Sequence, residues 1–338
     1  MKITFFYYKC YLGGLESAVK NKMDYLTDLG IDCQIIFLDK GLEDHTFSSY
    51  KHYVTTDDNT LKNLTKDSDI IINLSPYDIM FKRAYKLDKP IIHECHCGGA
   101  YEYLGHLDPG RVKAVIFPTK HNLIRAGKII GGNIPIFALH NCLGKNFTES
   151  TPSVLTPVKK IILWVGRIEY YKNWPLIVKL SQMLSSDYLI RVVTETALSS
   201  QYKEFLREVE NKHLKGRIEI DINCPYSAMS YHYFQAAISG CYLSSSYSES
   251  FGMTVLESMY AGCPMVLSDL PSFREIAENS AIYFPTDNAE ICIEGINKLC
   301  TDIPFRKEMI KNEISLYTMN FDPIKTCKEY LNIVKQVL

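Results

Sequence analysis

Short runs of apolar residues alternate along the chain with longer amphipathic segments. This alternation is typical of parallel sheets whose strands are joined by crossover helices. In the first half it predicts strands near Lys2–Tyr7, Cys33–Leu38, Asp69–Leu74, Pro90–Cys95, Ala114–Phe117 and Pro135–Leu139. In the second half it predicts strands near Lys160–Gly166, Leu189–Val193, Arg217–Asp221, Gly240–Leu243, Pro264–Leu267 and Ser280–Tyr283.

Helical periodicity predicts a first helix over Leu15–Leu29, with Gly30 as its cap. Two further helices are predicted over Gly252–Ala261 and Asp322–Val337. The apolar face of the first helix consists of Leu15, Val19, Met23 and Leu26.

The stretch 149–157 contains two prolines among small polar residues and interrupts the pattern, as an interdomain linker does. We therefore expect one domain over 1–150, a second over 156–318, and a terminal helix within 319–338 that could pack on either domain. The predicted fold class is α/β, with two Rossmann-like domains facing a central cleft. Ligands of such sheets bind outside the carboxyl ends of the strands.

Composition narrows the classes of protein that fit. The chain has 338 residues, 46% of them hydrophobic, and a formal net charge of −1, so no global field would attract nucleic acid. The apolar run at Met1–Lys9 is too short for a signal peptide, and none is long enough for a spanning helix. We expect a cytoplasmic protein whose 11 cysteines are reduced and mostly buried.

The segment Ser248–Glu257 combines a predicted helix start with two carboxylates. Gly252 would let an anion approach the backbone, and the first amides of a helix lack intrahelical acceptors. Glu249 precedes the turn and Glu257 lies one turn into the helix, so both would flank an anion site. The alternative is a solvated Glu257 on a packing helix, with Glu249 as an N-terminal charge.

Two cations follow the first strand of the second half. Arg167 and Lys172 lie on a predicted loop between strand and helix, where each could donate charge-assisted hydrogen bonds to a diphosphate. The alternative is a solvated Lys172 and an Arg167 that extends along the surface.

These two segments resemble family 4 of the retaining glycosyltransferases (glycosyl transferases group 1), which have the GT-B fold. Glu249 and Glu257 have the family's interval, with seven residues between them enclosing Phe251 and Gly252. Arg167 and Lys172 follow Gly166 as in the family's Gly-Arg…Lys loop. The segment that usually follows is matched by Ala261–Pro264, Asp269 and Arg274–Glu275.

The first half resembles the family more loosely. Gly13 and Gly14 are similar to its glycine pair at the first turn, where the alternative is a tight left-handed turn without a ligand. His96 stands where the family has a histidine beside the donor sugar. Val115–Thr119 and Leu139–Phe147 resemble two later landmarks.

The resemblance implies catalytic roles for His96, Arg167, Lys172 and Glu249. Glu249 and the following backbone would hold the sugar hydroxyls, Glu257 the ribose, and the two cations the diphosphate. Donor binding would involve Gly13, Gly14, Gly166, Ser250, Phe251, Gly252, Met253, Thr254 and Glu257.

Two departures from the family pattern stand out. The family's Gly-x-Gly turn is replaced by Thr194-Glu195-Thr196, which affects the base-binding side of the donor pocket. Its Asn-Gly-Val-Asp is replaced by Asn141–Gly144, so that loop could differ in shape.

The predicted function is that of a retaining hexosyltransferase. It would move a sugar from a UDP- or GDP-linked donor to a glycan or lipid-linked acceptor, without a metal ion or other cofactor. The alternatives are a nucleotide-sugar epimerase of the same fold, a non-catalytic partner subunit, and hydrolysis by the two carboxylates. A metal site at His93, Cys95 and Cys97, with His96 on the opposite face, lacks a second Cys/His pair.

Contact with the membrane surface is the last open question. Lys82, Lys86 and Lys89 fall on one face at helical spacing, beside Tyr85. They would either dock on anionic headgroups at the inner face of the membrane or form an ordinary solvated helix face.

Overall fold

The computed structural model describes residues 1–10, 13–41, 46–96, 101–149, 157–195 and 200–338. These residues form two compact units. The first consists of Met1–Gly144 together with Phe321–Leu338, and the second of Lys145–Asn320. Most of the predicted linker lies outside the described residues.

The first unit contains a parallel sheet, which has seven strands among the described residues. The strands are β1 (Lys2–Lys9), β2 (Asp32–Asp39), β3 (Lys51–Val54), β4 (Ile70–Asn73), β5 (Ile91–Glu94), β6 (Val112–Phe117) and β7 (Ile136–Ala138). The helices are α1 (Gly14–Asp28), α2 (Asp58–Thr65), α3 (Asp78–Ala84), α4 (Lys120–Ile130) and, at the end of the chain, α13 (Pro323–Val337). The spatial order of the strands is β3-β2-β1-β4-β5-β6-β7.

Helix α13 packs on the first unit because its apolar stripe completes one of the two layers that cover this sheet. Tyr330 and Val334 are fully buried in the same core as Phe5 of β1 and Met23 of α1. The helix begins at Pro323, which suits the first helical position, and the Asp322 carboxylate accepts the Lys325 amide at 2.8 Å.

The second unit repeats the arrangement, with six parallel strands among its described residues. The strands are β8 (Lys160–Val165), β9 (Tyr188–Thr194), β10 (Ile218–Ile222), β11 (Cys241–Ser244), β12 (Met265–Ser268) and β13 (Ala281–Phe284), in the spatial order β10-β9-β8-β11-β12-β13. The helices are α5 (Lys145–Thr148), α6 (Trp174–Met183), α7 (Ser200–Asn211), α8 (Tyr226–Ser239), α9 (Met253–Ala261), α10 (Pro271–Ala277), α11 (Ala289–Thr301) and α12 (Ile303–Asn320).

Counted within each unit, the second sheet has the strand order 3-2-1-4-5-6 of a Rossmann fold, and the first sheet has the same order with a seventh strand added at its edge. In such a sheet the order reverses between the first and fourth strands, and ligands bind outside the carboxyl ends at that point. The reversal lies between β1 and β4 in the first unit and between β8 and β11 in the second. The segments after β8 and β11 are those in which the sequence predicted functional residues.

The strands predicted from the apolar runs are confirmed, each within two residues of its observed bounds. The three predicted helices are confirmed as α1, α9 and α13, and Gly30 follows the end of α1 with φ +79°. The prediction missed β3, a four-residue edge strand whose side chains are mostly exposed. Such a strand carries no apolar run to mark it.

The cysteines behave as small hydrophobic residues. Of the ten within the described residues, all are free thiols and all but Cys224 are buried, as the composition predicted. Cys97 lies outside the described residues.

Candidate active site

The second unit holds a half-buried ion pair between two predicted site residues. The Lys172 ammonium contacts a carboxylate oxygen of Glu249, and the two side chains are only 17% and 14% exposed. Ser246 donates a hydrogen bond to the same oxygen at 2.8 Å. Lys172 follows β8 and Glu249 follows β11, so the pair lies where the strand order reverses. The alternative of a solvated Lys172 is therefore wrong.

A hydrogen-bonded chain fixes the backbone of the lysine. The indole of Trp164, on β8, donates to the Ser245 hydroxyl at 3.0 Å, and Ser245 donates to the Lys172 carbonyl at 2.8 Å. Asn173, which follows, adopts the left-handed region with φ 54° and turns the chain into α6. Lys172 is thus presented by a buried scaffold rather than by a free loop.

Arg167 lies on the same loop and is more open. Its side chain is 45% exposed, its guanidinium donates to the Tyr171 hydroxyl at 2.8 Å, and its Nε lies 3.8 Å from the Glu195 carboxylate. Nearly half of the Arg167 side chain is therefore accessible to an anion. Gly166, between β8 and this arginine, donates its amide to Val193 of β9 at 3.0 Å.

Gly252 forms the turn into α9 in a conformation that only glycine adopts readily. Its φ is 105°, and a Cβ at this position would lie 2.7 Å from Cε1 of Phe273. The amides of Val255 and Leu256 donate to the Gly252 carbonyl, at 3.0 and 3.3 Å. The amides of Met253 and Thr254 precede this first helical hydrogen bond, and no side chain of the described residues caps the helix.

The segment before this turn is anchored by burial. The Phe251 side chain is 2% exposed, and the preceding Ser250 is half-buried. The Thr254 hydroxyl accepts a hydrogen bond from Tyr242 of β11 at 2.6 Å. The predicted donor-binding segment is therefore a rigid strand–turn–helix element.

Glu257 is a buried carboxyl, so the alternative of a solvated side chain is wrong. It is 4% exposed and accepts a 2.7 Å hydrogen bond from the Tyr233 hydroxyl of α8. Burial raises the pKa of Glu257 to about 7, and the hydrogen bond from Tyr233 offsets only part of this effect. The Glu257 carboxyl therefore changes between its neutral and its charged form near neutral pH.

In the first unit, the predicted glycines begin α1. Gly13 is its N-terminal cap with φ −155°, and neither Gly13 nor Gly14 has a positive φ, so the alternative of a tight left-handed turn is wrong. His96 follows β5, and its Nε2 lies 3.2 Å from the Glu94 carboxylate.

His93 and Cys95, weighed above as ligands of a metal ion, contact other groups of the protein. His93 is fully buried, its Nδ1 contacts the Asn73 carbonyl at 2.9 Å, and its Nε2 contacts the Tyr103 hydroxyl at 2.7 Å. Cys95 shares that hydroxyl at 3.1 Å. For His93, Cys95 and His96 the alternation of faces is thus confirmed, since His93 and Cys95 contact Tyr103 while His96 contacts Glu94. No group of side chains suited to a metal ion occurs among the described residues.

The structure gives a physical reason for one departure from the family pattern. The Asn21 amide of α1 donates to the Cys142 carbonyl at 3.0 Å. A Cβ on Gly144 would lie 2.2 Å from Oδ1 of Asn21, so a side chain there would require the Asn21 side chain to move. The other departure is the segment Thr194–Thr196. Thr194 is the last residue of β9, and the Glu195 carboxylate contacts Arg167. Thr196 lies outside the described residues.

The prediction that Lys82, Lys86 and Lys89 share one face of a helix is wrong, because α3 ends at Ala84, before Lys86 and Lys89. Lys82 pairs with Asp78 at 2.5 Å, Lys86 pairs with Asp58 at 2.6 Å, and Lys89 donates to a backbone carbonyl. Across the part of the chain that the structure describes, no helix combines the length and apolar character that crossing a bilayer requires.

Four polar partners of the site escaped the sequence analysis: Tyr233, Ser245, Ser246 and Glu94. Ser245 and Ser246 directly follow β11 in a run of three serines, which was the available signal. Tyr233 lies on another helix and carries no local signal of its contact with Glu257.

Known proteins resemble this chain in sequence and in fold. One curated relative that this chain matches is the N-acetylgalactosamine-N,N'-diacetylbacillosaminyl-diphospho-undecaprenol 4-alpha-N-acetylgalactosaminyltransferase of Campylobacter jejuni. It is 25% identical over 175 residues, which make up 51% of this chain and 46% of that protein. The chain thus matches about half the length of this relative.

Solved structures match over nearly the whole chain. HepE of Anabaena, in complex with UDP-glucose, superposes with a TM-score of 0.86 at 13% identity and covers 99% of this chain and 100% of its own. The sucrose-phosphate synthase of Thermosynechococcus elongatus gives a TM-score of 0.80 at 14% identity, covering 99% and 98%. At these identities the likeness establishes the fold. The glycosyl transferases group 1 model matches residues 147–315, so the chain belongs to this family of glycosyltransferases, and its two Rossmann-like units have the GT-B fold.

Proposed function

We propose that this glycosyltransferase moves a hexosyl group, with retention of anomeric configuration, from a UDP- or GDP-linked sugar to a glycan or lipid-linked acceptor. No metal ion or other cofactor takes part in this reaction. The observation that carries the proposal is the pairing of Lys172 with Glu249 beside the glycine turn that begins α9. A cation, a carboxylate and a helix N-terminus in one place suit a ligand that joins a diphosphate to a sugar.

The leaving diphosphate is assigned to the cations and the helix amides. Arg167 and Lys172 supply positive charge, and the amides of Met253 and Thr254 add the N-terminal end of the helix dipole. The ammonium of Lys172 has three N–H donors, so it can bind Glu249 and a phosphate oxygen together. Stabilisation of the charge that develops on the leaving group is then the main catalytic effect.

The sugar and the ribose are assigned to the two carboxylates. Glu249, with Ser246 and Lys172 fixing its orientation, accepts hydrogen bonds from the sugar hydroxyls. Glu257 accepts hydrogen bonds from the ribose hydroxyls, which favour its charged form. His96 acts on the donor sugar, as the family resemblance implies.

Both substrate classes draw support from the relatives. The HepE structure contains UDP-glucose, and the name of the Campylobacter protein describes a diphospho-undecaprenol acceptor. A nucleotide-sugar donor and a lipid-linked acceptor are therefore the first substrates to test.

A thermal-shift screen tests the donor base. UDP or GDP should raise the melting temperature by mass action, whereas nucleotides that do not bind leave it unchanged. Transfer and hydrolysis assays with UDP- and GDP-sugars, with and without excess chelator, then test the reaction. Transfer that survives chelation supports the mechanism, and loss on chelation that manganese restores would contradict it. Epimerised donor without transfer would identify an epimerase, and binding without turnover would identify a non-catalytic subunit.

A further inference from the structure

The Glu94 carboxylate, at the end of β5, lies at the centre of a buried polar cluster in the first unit. One oxygen contacts the Lys22 ammonium at 2.5 Å and His96 Nε2 at 3.2 Å. The other oxygen accepts a hydrogen bond from the Tyr330 hydroxyl at 2.5 Å. The Lys22 ammonium also lies 4.4 Å from the centre of the Tyr330 ring. Three elements, α1, β5 and α13, thus converge on one carboxylate.

The cluster is too buried to be an ordinary surface ion pair. The side chains of Lys22 and Glu94 are 5% and 2% exposed, and Tyr330 is fully buried. Burial alone would raise the pKa of Glu94, but the Lys22 charge and the hydrogen bond from His96 hold it well below its usual range. Glu94 is therefore a carboxylate near neutral pH.

His96 is the member of the cluster that reaches solvent, with 11% of its side chain exposed. A carboxylate has only acceptor atoms, so the contact with Glu94 requires a hydrogen on Nε2. In the neutral ring this leaves Nδ1 as the acceptor, and in the charged ring it leaves Nδ1–H as a donor. Among the described residues, Glu94 is the contact through which the orientation and tautomer of His96 can be set.

We propose that Glu94 is a positioning residue for His96, and that Lys22 and Tyr330 hold the Glu94 carboxylate in the orientation this requires. Through Tyr330, the terminal helix α13 takes part in shaping the active site of the first unit. The role of His96 in transfer rests on the proposed function, whereas the fixing of its ring by Glu94 does not.

A purely structural cluster is the competing explanation. In that case Glu94 would neutralise Lys22, and the contact with His96 would have no consequence for the reaction. The two explanations differ in what Tyr330→Phe does. This variant keeps the ring and the packing of α13 and removes only the hydroxyl that orients Glu94.

The first experiment is NMR of protein labelled with ¹⁵N in its histidine rings, with the His96 signals assigned by their loss in His96→Gln. The wild type should show His96 with hydrogen on Nε2. Tyr330→Phe and Glu94→Gln should both shift the His96 ring nitrogens and leave those of the surface residue His52 unchanged. Because Glu94→Gln leaves the Lys22 charge buried and could unfold the protein, Tyr330→Phe serves as the decisive variant. Unchanged His96 signals in a folded Tyr330→Phe would overturn the proposal.

The second experiment is a double-mutant cycle in a transfer assay. Tyr330→Phe should lower kcat about tenfold, the scale of one hydrogen bond to a charged group, with little change in KM. In the His96→Gln background the same substitution should have almost no further effect. Val334→Ala is the matched control, because it loosens a fully buried position of α13 that lies one turn further along the helix. Any effect of this control should be the same in both backgrounds.

The outcomes separate the two proposals. Equal losses from Tyr330→Phe with and without His96 would show a structural cluster and overturn the positioning role. Full activity of His96→Gln would remove His96 from the proposed function, and the NMR result would still decide whether Glu94 fixes its ring.

Discussion

The glycine turn before α9 gives the sharpest test of the predicted donor site. In Gly252→Ala the new Cβ would lie 2.7 Å from Cε1 of the fully buried Phe273 ring, on a backbone with φ 105°. A positive φ costs a residue with a Cβ about 1–2 kcal/mol, and overpacking a core costs about 1–3 kcal/mol. We therefore expect Gly252→Ala to lower the free energy of unfolding by about 2–5 kcal/mol.

Substitutions at two other glycines of the second unit separate the cost of the positive φ from the cost of overpacking. Gly216 has φ +85° and no atom within 4 Å of the position that a Cβ would take, so Gly216→Ala should show the backbone cost alone, about 1–2 kcal/mol. Gly166 has a negative φ and would make ordinary contacts of 3.5 Å or more, so Gly166→Ala should be close to neutral. The order of destabilisation should be Gly252, then Gly216, then Gly166.

Tryptophan fluorescence during urea unfolding is the appropriate assay. The chain has two tryptophans, and both Trp164 and Trp174 are buried in the second unit, so the signal reports on the unit that carries the substitutions. Nucleotide binding should be measured by calorimetry at a temperature where every variant is folded. Gly252→Ala should weaken binding of the nucleoside diphosphate about tenfold or more, because relief of the clash moves the amides of Met253 and Thr254. Equal destabilisation by Gly252→Ala and Gly216→Ala would refute the argument.

Three further predictions concern the charged residues of the second unit. Arg167→Ala and Lys172→Ala should each weaken binding of the nucleoside diphosphate by about 1.5–3 kcal/mol in calorimetry, and unchanged affinity in both would remove this assignment. Only Lys172→Ala should also destabilise the unit in urea, because it leaves the half-buried Glu249 without its cation, whereas Arg167 is 45% exposed. The pKa of Glu257 rises from 4.5 to about 7 on folding, so the folded state holds a proton that the unfolded chain releases. The contribution of Glu257 is therefore most favourable below pH 4.5 and is lost as pH rises to 7, by up to about 3 kcal/mol. Glu257→Gln should abolish this part of the pH dependence, and identical urea midpoints against pH in both proteins would contradict the assignment.

The fold was predictable because parallel strands buried on both faces leave continuous apolar runs in the sequence. Strands such as Ile70–Asn73 and Met265–Ser268 are buried at every position, so their runs stand out against the amphipathic helices. The side chains of the edge strand Lys51–Val54 are mostly exposed, and the strand carries no such run. The end of α3 at Ala84 could not be predicted either, because Tyr85 and Lys86 are residues that a helix accepts and neither of them signals a helix end.

The candidate site was predictable where its chemistry is local. Gly252, Glu249 and Glu257 lie within one short segment, and their spacing can be read from the chain. The partners that set their properties are not local. Tyr233 lies 24 residues before Glu257, and nothing in its own helix indicates that its hydroxyl meets a carboxyl. The raised pKa of Glu257 could therefore be found only from the structure.

The terminal helix shows the same limit at longer range. Its apolar stripe predicts that α13 packs on something, but an apolar stripe fits any complementary apolar face. A buried tyrosine hydroxyl also needs a hydrogen-bond partner, and the Tyr330 hydroxyl donates to Glu94, which lies 236 residues earlier in the sequence. A shift of α13 by one turn would move this hydroxyl about 5 Å along the helix axis and leave a buried carboxylate with one partner fewer. Hydrophobic burial thus explains why the helix docks, and one hydrogen bond to a charged group selects the register in which it docks.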